Sequence, residues 1–274
     1  MKIVYLFNSS VPSYNANSLQ VVSMCNQIAK KVGEVILITP NTGFQKSVSE
    51  HYGLKKSFKL IKLKNFKSFP RGLNYYLYSL YSIIYSLKFS PNIFITRNYF
   101  TLFLLVLLRK KVIFEVHTDL DFEGRINNFI FKNFKILNSK KIINLVFITH
   151  SLKKNFFEKY KIQPKKFTIL SSASDLTWKY PLLKKKKRLK IGYFGLVNKS
   201  RGLDFLCRLS HIDQENKYYI FGGTKENINS VKKKIFHKNI FFKEFLPYKK
   251  IKELMCEMDI LVLPYKKKIS ASGN

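Results

Sequence analysis

The sequence predicts an α/β protein with two doubly wound parallel sheets, the second of them incomplete. Two observations predict this. The chain opens with the apolar run Lys2-Ile3-Val4-Tyr5-Leu6-Phe7, which enters a small polar loop over 8–17 and then an amphipathic helical pattern. The same order returns near residue 190, where Leu189-Lys190-Ile191-Gly192-Tyr193-Phe194-Gly195 leads through a polar loop to the periodic Leu203-Asp204-Phe205-Leu206-Cys207-Arg208-Leu209. A chain that begins a parallel sheet, completes it and begins another forms two Rossmann-like units, whose ligands bind outside the carboxyl ends of the strands. The cleft between those loops is the expected place for chemistry.

In the first unit the apolar runs 3–7, 35–38, 59–63, 93–96, 112–116 and 145–148 read as strands, with a further one at 167–170. Helical patterns separate most of them. Asn17 or Ser18 is the expected cap of the first helix, because a short polar side chain accepts from unpaired backbone donors, and Gly33 ends that helix. Pro91 marks entry to a strand, Ser151 is the expected cap of the helix carrying Phe156 and Phe157, and Pro164 follows that helix. Two apolar stretches, 73–89 and 99–108, fall short of the roughly 20 residues that span a bilayer and read as buried helices.

Pro181 followed by Leu182, Leu183 and the cationic run 184–188 reads as a solvated linker, which divides the chain into 1–181 and 182–274. The second unit then reads as strands at 189–194, 217–221, 239–242 and 260–263, with helices at 203–210, 225–236 and 248–257.

A chain of 274 residues that is 46% hydrophobic buries enough surface for a folded core, which excludes a disordered protein. Its net charge of +34, from 50 Lys and Arg against 16 Asp and Glu, attracts anions. Two origins stay open: a functional surface field, or the drift of AT-rich coding toward Lys, Ile, Asn, Phe and Tyr. The charge is spread along the whole chain, so no specific nucleic-acid module is expected. Cys25, Cys207 and Cys256 are far apart and odd in number, which fits a reducing cytoplasm and neither a disulfide framework nor a Cys-x-x-Cys metal site. The first apolar run is too short for a signal peptide.

Neither strand-to-helix turn contains Gly-x-Gly-x-x-Gly, and no Gly-Lys-Ser or Gly-Lys-Thr follows, so a dehydrogenase and a P-loop enzyme are both disfavoured. The turn from Gly195 to Gly202 still suits an anion: Gly195 permits close backbone approach, the next helix directs its free amides outward, and Arg201 stands beside them. An ordinary surface arginine explains Arg201 equally well. Glu115, Asp119 and Asp121 make the surroundings of His117 read as a polar loop. Asp119, Asp121 and Glu123 alternate just beyond it, and carboxylates spaced this way in a loop are usually solvated, so no metal site is expected there.

The segment Lys190-Ile-Gly-Tyr-Phe-Gly-Leu-Val-Asn-Lys-Ser-Arg-Gly-Leu-Asp-Phe-Leu206 resembles the turn that opens the second domain of family 4 glycosyltransferases of GT-B architecture. Val11-Pro-Ser-Tyr-Asn-Ala-Asn-Ser-Leu-Gln-Val-Val-Ser-Met-Cys25 resembles the first loop and helix of that family, and Phe114-Glu-Val-His117 its strand ending in histidine. Phe147-Ile-Thr-His-Ser-Leu-Lys153, Phe221-Gly-Gly223 and Met258-Asp-Ile-Leu-Val-Leu-Pro-Tyr265 follow in the family's order. The resemblance implies a retaining transferase that takes a nucleotide-sugar donor as substrate and needs no cofactor or metal.

Carried over by position, Arg201 takes the place of the lysine that meets the donor diphosphate, and His117 approaches the donor sugar. Gly195, Leu196, Gly222 and Gly223 lie along the nucleotide, while Asn17 and Ser18 line the cleft. Leu196 stands where the family often has arginine, which removes part of the phosphate clamp. The segment after Tyr265 resembles the lead into a Ser-Pro-x-Lys stretch and paired glutamates that the chain lacks, so a truncated chain of reduced or absent turnover is expected. A noncatalytic remnant that keeps part of a nucleotide pocket is the rival reading. The resemblance implies a glycan or lipid-linked acceptor in cell-surface polysaccharide synthesis. Lysine clusters add an anionic membrane surface as a partner, on the cytoplasmic side.

Overall fold

The computed structural model describes residues 1–66, 68–162, 166–173, 187–198, 201–232 and 237–265. It divides into two compact units, one of Met1–Ser49 with Leu54–Ser174 and the other of Glu50–Gly53 with Asp175–Asn274. Pro164, the interval around Pro181 and the stretch 233–236 lie outside the described residues.

Unit 1 is a seven-stranded parallel sheet of β1 (Lys2–Leu6), β2 (Glu34–Pro40), β3 (Lys59–Leu63), β4 (Ile93–Thr96), β5 (Val112–Val116), β6 (Ile142–Phe147) and β7 (Phe167–Ile169). Its order is β3-β2-β1-β4-β5-β6-β7, so the chain first builds outward from β1 in one direction and then in the other. Leu6 pairs with Ile38 on one side and Thr96 on the other, which puts the switch of direction between β1 and β4. The central strands are continuous apolar runs because helices cover both faces of such a sheet. Val4, Leu6, Ile36 and Ile38 are almost fully buried.

The helices are α1 (Ala16–Val32), α2 (Val48–Tyr52), α3 (Arg71–Leu87), α4 (Tyr99–Leu107), α5 (Arg125–Asn133) and α6 (His150–Tyr160). α1 buries Val21, Val22 and Cys25, and Gly33 ends it at φ +99°, a conformation that costs glycine little. Its cap is Asn15, not Asn17 or Ser18, which lie in the first turn. Likewise Thr149 rather than Ser151 caps α6, accepting from the Leu152 amide. Both helices begin earlier than the apolar pattern does. α3 lays Ser79, Ser82 and Ser86 inward; their hydroxyls donate to carbonyls three or four residues back, and Ser79 also accepts from the Asn8 side-chain amide just after β1. Its outer face leaves Leu80 and Ile84 exposed, so 73–89 is a half-buried helix rather than a fully buried one. α4 buries Leu102 and Leu105 completely, and truncating either to alanine costs about 2–5 kcal/mol.

Unit 2 is a four-stranded parallel sheet of β8 (Lys190–Phe194), β9 (Lys217–Phe221), β10 (Ile240–Lys243) and β11 (Ile260–Leu261), in the order β10-β9-β8-β11. Its switch of direction falls between β8 and β11. Helices α7 (Leu203–Ile212), α8 (Lys225–Lys232) and α9 (Tyr248–Cys256) complete it. Tyr193, Tyr218 and Ile220 form one core with Leu203, Leu206, Cys207 and Ile228. On the other face Phe194 stacks on Phe221, with ring centroids 4.6 Å apart, and Tyr219 stacks on Phe241. Met258 packs so closely on Gly192 that a Cβ there would sit 2.5 Å from its Cγ.

Candidate functional sites at the two switch points

In unit 1, β1, β4 and β5 deliver four polar side chains to one face at their carboxyl ends. Side chains alternate along a strand, so Tyr5 and Glu115 share a face with Arg97 and His117, which come just after the ends of β4 and β5. Arg97 donates through Nε to the Tyr5 hydroxyl at 3.0 Å and through Nη2 to Glu115 Oε2 at 2.7 Å. Tyr5 in turn donates to the same carboxylate oxygen at 2.9 Å, and His117 Nε2 lies 3.2 Å from it. Arg97 also stacks over Phe7. The Glu115 side chain is only 3% exposed, so it is a buried partner of Arg97 and not part of a polar loop. Burial pushes the Glu115 carboxyl upward, but the His117 hydrogen bond and the Arg97 charge outweigh it and hold it below the usual range. Burial also pushes the Tyr5 phenol and the Cys25 thiol well up.

His117 therefore sits on this network with its side chain 22% exposed. Past it, Thr118 donates to Glu123, and its carbonyl accepts from the Tyr99 hydroxyl. Asp119 is bound by Tyr160 and Lys159, and Asp121 by Lys159. Ser18 is fully buried: its hydroxyl donates to the Ser10 carbonyl at 2.8 Å and meets Ser13 Oγ at 2.6 Å. It ties the first turn of α1 to the loop before it, while Asn17 is exposed.

Unit 2 brings Gly195, Leu196, Gly222 and Gly223 together after β8 and β9. The Gly195 amide donates to the Phe221 carbonyl at 2.9 Å, and the Val197 amide to the Gly222 carbonyl at 2.8 Å. Gly222 has φ +112°, and a Cβ on it would fall 2.3 Å from the Gly195 carbonyl oxygen, so the contact between the two loops itself requires glycine. A Cβ on Gly223 would meet Val197 at 2.8 Å. Leu196 is exposed, and its carbonyl accepts from the Tyr193 hydroxyl at 3.0 Å. Burial and the neighbouring Tyr265 push that phenol up to about 12.

Arg201 stands at the entrance to α7. Its guanidinium lies over the Tyr265 ring at 4.9 Å, and its Nε is buried with no hydrogen-bond partner among the described residues. Gly202, at φ +71°, caps α7 without any side-chain hydrogen bond and packs directly on the Pro264 carbonyl. A buried donor left unpaired costs about 1–3 kcal/mol, which an incoming acceptor recovers. Arg201, the amide end of α7 and the loop after β11 thus border the switch point of this sheet, and a guanidinium and helix amides are groups able to hold an anion.

Sequence reasoning missed Tyr5 and Arg97 and misread Glu115. A lone arginine and a lone glutamate at the ends of neighbouring apolar strands were the available signal. It also missed α5, on and just after which Ile126, Phe129 and Phe134 stand exposed beside Arg125, Lys132 and Lys135. A separate cavity of about 570 Å³, lined by Pro91, Asn92, Arg109, Lys110 and Lys111 among others, lies at the amino ends of the unit 1 strands, away from His117.

No family model matches the chain, and no curated protein matches it. Solved structures do. Sucrose-phosphate synthase from Thermosynechococcus elongatus is 11% identical, with 97% of this chain and 76% of that one covered at a TM-score of 0.72. Anabaena HepE in complex with UDP-glucose is 11% identical over 99% and 76% at 0.68. A UDP-N-acetylglucosamine 2-epimerase is 10% identical over 95% and 73% at 0.62. At such identities the likeness shows the fold: an α/β protein of two Rossmann-like units, the fold of GT-B glycosyltransferases.

Proposed function

We propose that the chain is a glycosyltransferase of the family 4 type, which moves a sugar with retention from a nucleotide-sugar donor to a glycan or lipid-linked acceptor. One observation carries this reading: the unpaired Nε of Arg201 beside the uncapped start of α7, at the switch point of unit 2. An arginine fork and helix amides at that place stabilise the charge that develops on a departing diphosphate. Gly195 and Gly222 hold the turn in the shape that presents them. UDP-glucose in the HepE structure supports a nucleotide sugar as the donor.

Turnover of a panel of nucleotide sugars tests the proposal. Acceptor-dependent nucleotide release, with the product's anomeric configuration retained, is the expected result. An epimerised sugar nucleotide without transfer would move the chain to the chemistry of its epimerase neighbour. Affinity without any turnover would favour a binding remnant.

The acceptor, in this reading, is met at an anionic lipid surface. Among the described residues no helix is long and apolar enough to cross a membrane. Support comes instead from Ile126, Phe129 and Phe134, exposed on and just after α5 next to basic side chains, a pattern suited to shallow insertion among anionic headgroups. Co-sedimentation with phosphatidylglycerol vesicles, weakened when Phe129 and Phe134 become serine, is expected; equal sedimentation with phosphatidylcholine would sink the idea.

A further inference from the structure

Three donors converge on one oxygen of Glu115, and the direction of two of those bonds is settled by chemistry. Arginine only donates. Tyr5 already receives the Arg97 Nε–H, so its own proton points to Glu115. The carboxylate consequently acts as acceptor throughout, and the nitrogen of His117 that faces it must be the one carrying hydrogen. The contact is built into the strand: residues 115 and 117 lie two apart on an extended backbone, so their side chains leave on the same side. Arg97 arrives from the neighbouring strand, whose last residue, Thr96, pairs with Phe114.

We propose that Glu115 is a positioning residue for His117: gripped by Arg97 and Tyr5, it fixes the neutral imidazole as the Nε2–H tautomer and leaves Nδ1 to accept a hydrogen bond from a ligand hydroxyl. Among the described residues nothing else bonds to His117. A lone pair at Nδ1 repels a phosphate oxygen and attracts an O–H, so the ligand class is a hydroxyl-rich molecule such as a sugar. This deepens the transferase reading and rests on it for the identity of the ligand; the tautomer itself does not depend on that reading.

The test is a long-range ¹H–¹⁵N correlation spectrum of the full chain with ¹⁵N-labelled histidine, the His117 ring being assigned as the signal lost in His117→Asn. At a pH where the ring is neutral, a protonated Nε2 and a bare Nδ1 are expected. A protonated Nδ1 would overturn the proposal. Glu115→Gln, whose amide can either donate or accept, should mix the two tautomers; an unchanged tautomer in a folded variant would also overturn it. UDP-glucose is then added to the wild type. An upfield change at Nδ1 on saturation supports a hydroxyl ligand, whereas saturation without a change overturns that assignment. Failure of UDP-glucose to bind would count against the transferase reading, while the tautomer spectrum would still decide the role of Glu115.

Discussion

Both units gather polar and charged groups where their sheets change direction, yet they use the charge differently. In unit 1 the Arg97 guanidinium is bound to Glu115 and Tyr5, so its charge is committed to holding the strand ends and orienting His117. In unit 2 Arg201 rests on a tyrosine ring with a buried N–H that nothing among the described residues accepts. The difference separates a cation that builds the fold from one that, in the proposed reading, meets a ligand. A satisfied pair adds orientation, and breaking it is costly; an unsatisfied donor costs stability until something binds.

The largest effect is expected from removing the committed cation. Arg97→Met leaves the Glu115 carboxylate buried without its counter-charge, which costs about 3–5 kcal/mol. Hydrogen exchange read by mass spectrometry should show the loss in β1, β4 and β5 and leave β8 and β9 unchanged. The pH dependence follows the same logic. Because the folded protein holds the Glu115 carboxyl below its ordinary value, the stabilisation is complete above the usual carboxylate range, near pH 4, and disappears as pH falls through the folded value. Protection in unit 1 that stayed constant on acidification would contradict a buried, ionised Glu115.

A backbone change in unit 2 comes next. Gly222→Ala combines a positive φ with a Cβ driven against the Gly195 carbonyl, and a loss of about 1–3 kcal/mol or more is expected, confined to β8, β9 and the turn between β8 and α7. Protection in that turn equal to wild type would show that the two loops are not interlocked as described.

Much of this architecture was legible in the sequence, for physical reasons that also explain the rest. The bounds of β3, β4, β5 and β9 all match the expected runs; for β4 and β5 this follows because strands covered on both faces admit little but apolar residues. The glycines of unit 2 were legible as turn formers, but the close approach of Gly222 to Gly195 depends on two strands that only the fold brings side by side. Glu115 was misread because a carboxylate in a sequence looks the same whether buried or exposed, as at Asp121, and its partner Arg97 lies 18 residues away. The helix starts at Asn15 and Thr149 were misplaced because several short polar side chains compete to cap there, and backbone geometry chooses among them.

The smallest effect on stability and the largest on ligand belong to Arg201. Its ring contact with Tyr265 is worth about 0.5–1 kcal/mol, so Arg201→Ala should barely change the melting temperature. Calorimetric titration of the full chain with UDP-glucose, wild type against Arg201→Ala, is the most direct measurement. The expected result is affinity at least about tenfold weaker in the variant, or about 1.4 kcal/mol, at nearly unchanged stability. Equal affinity in two equally stable proteins would contradict the assignment of the diphosphate to the turn between β8 and α7.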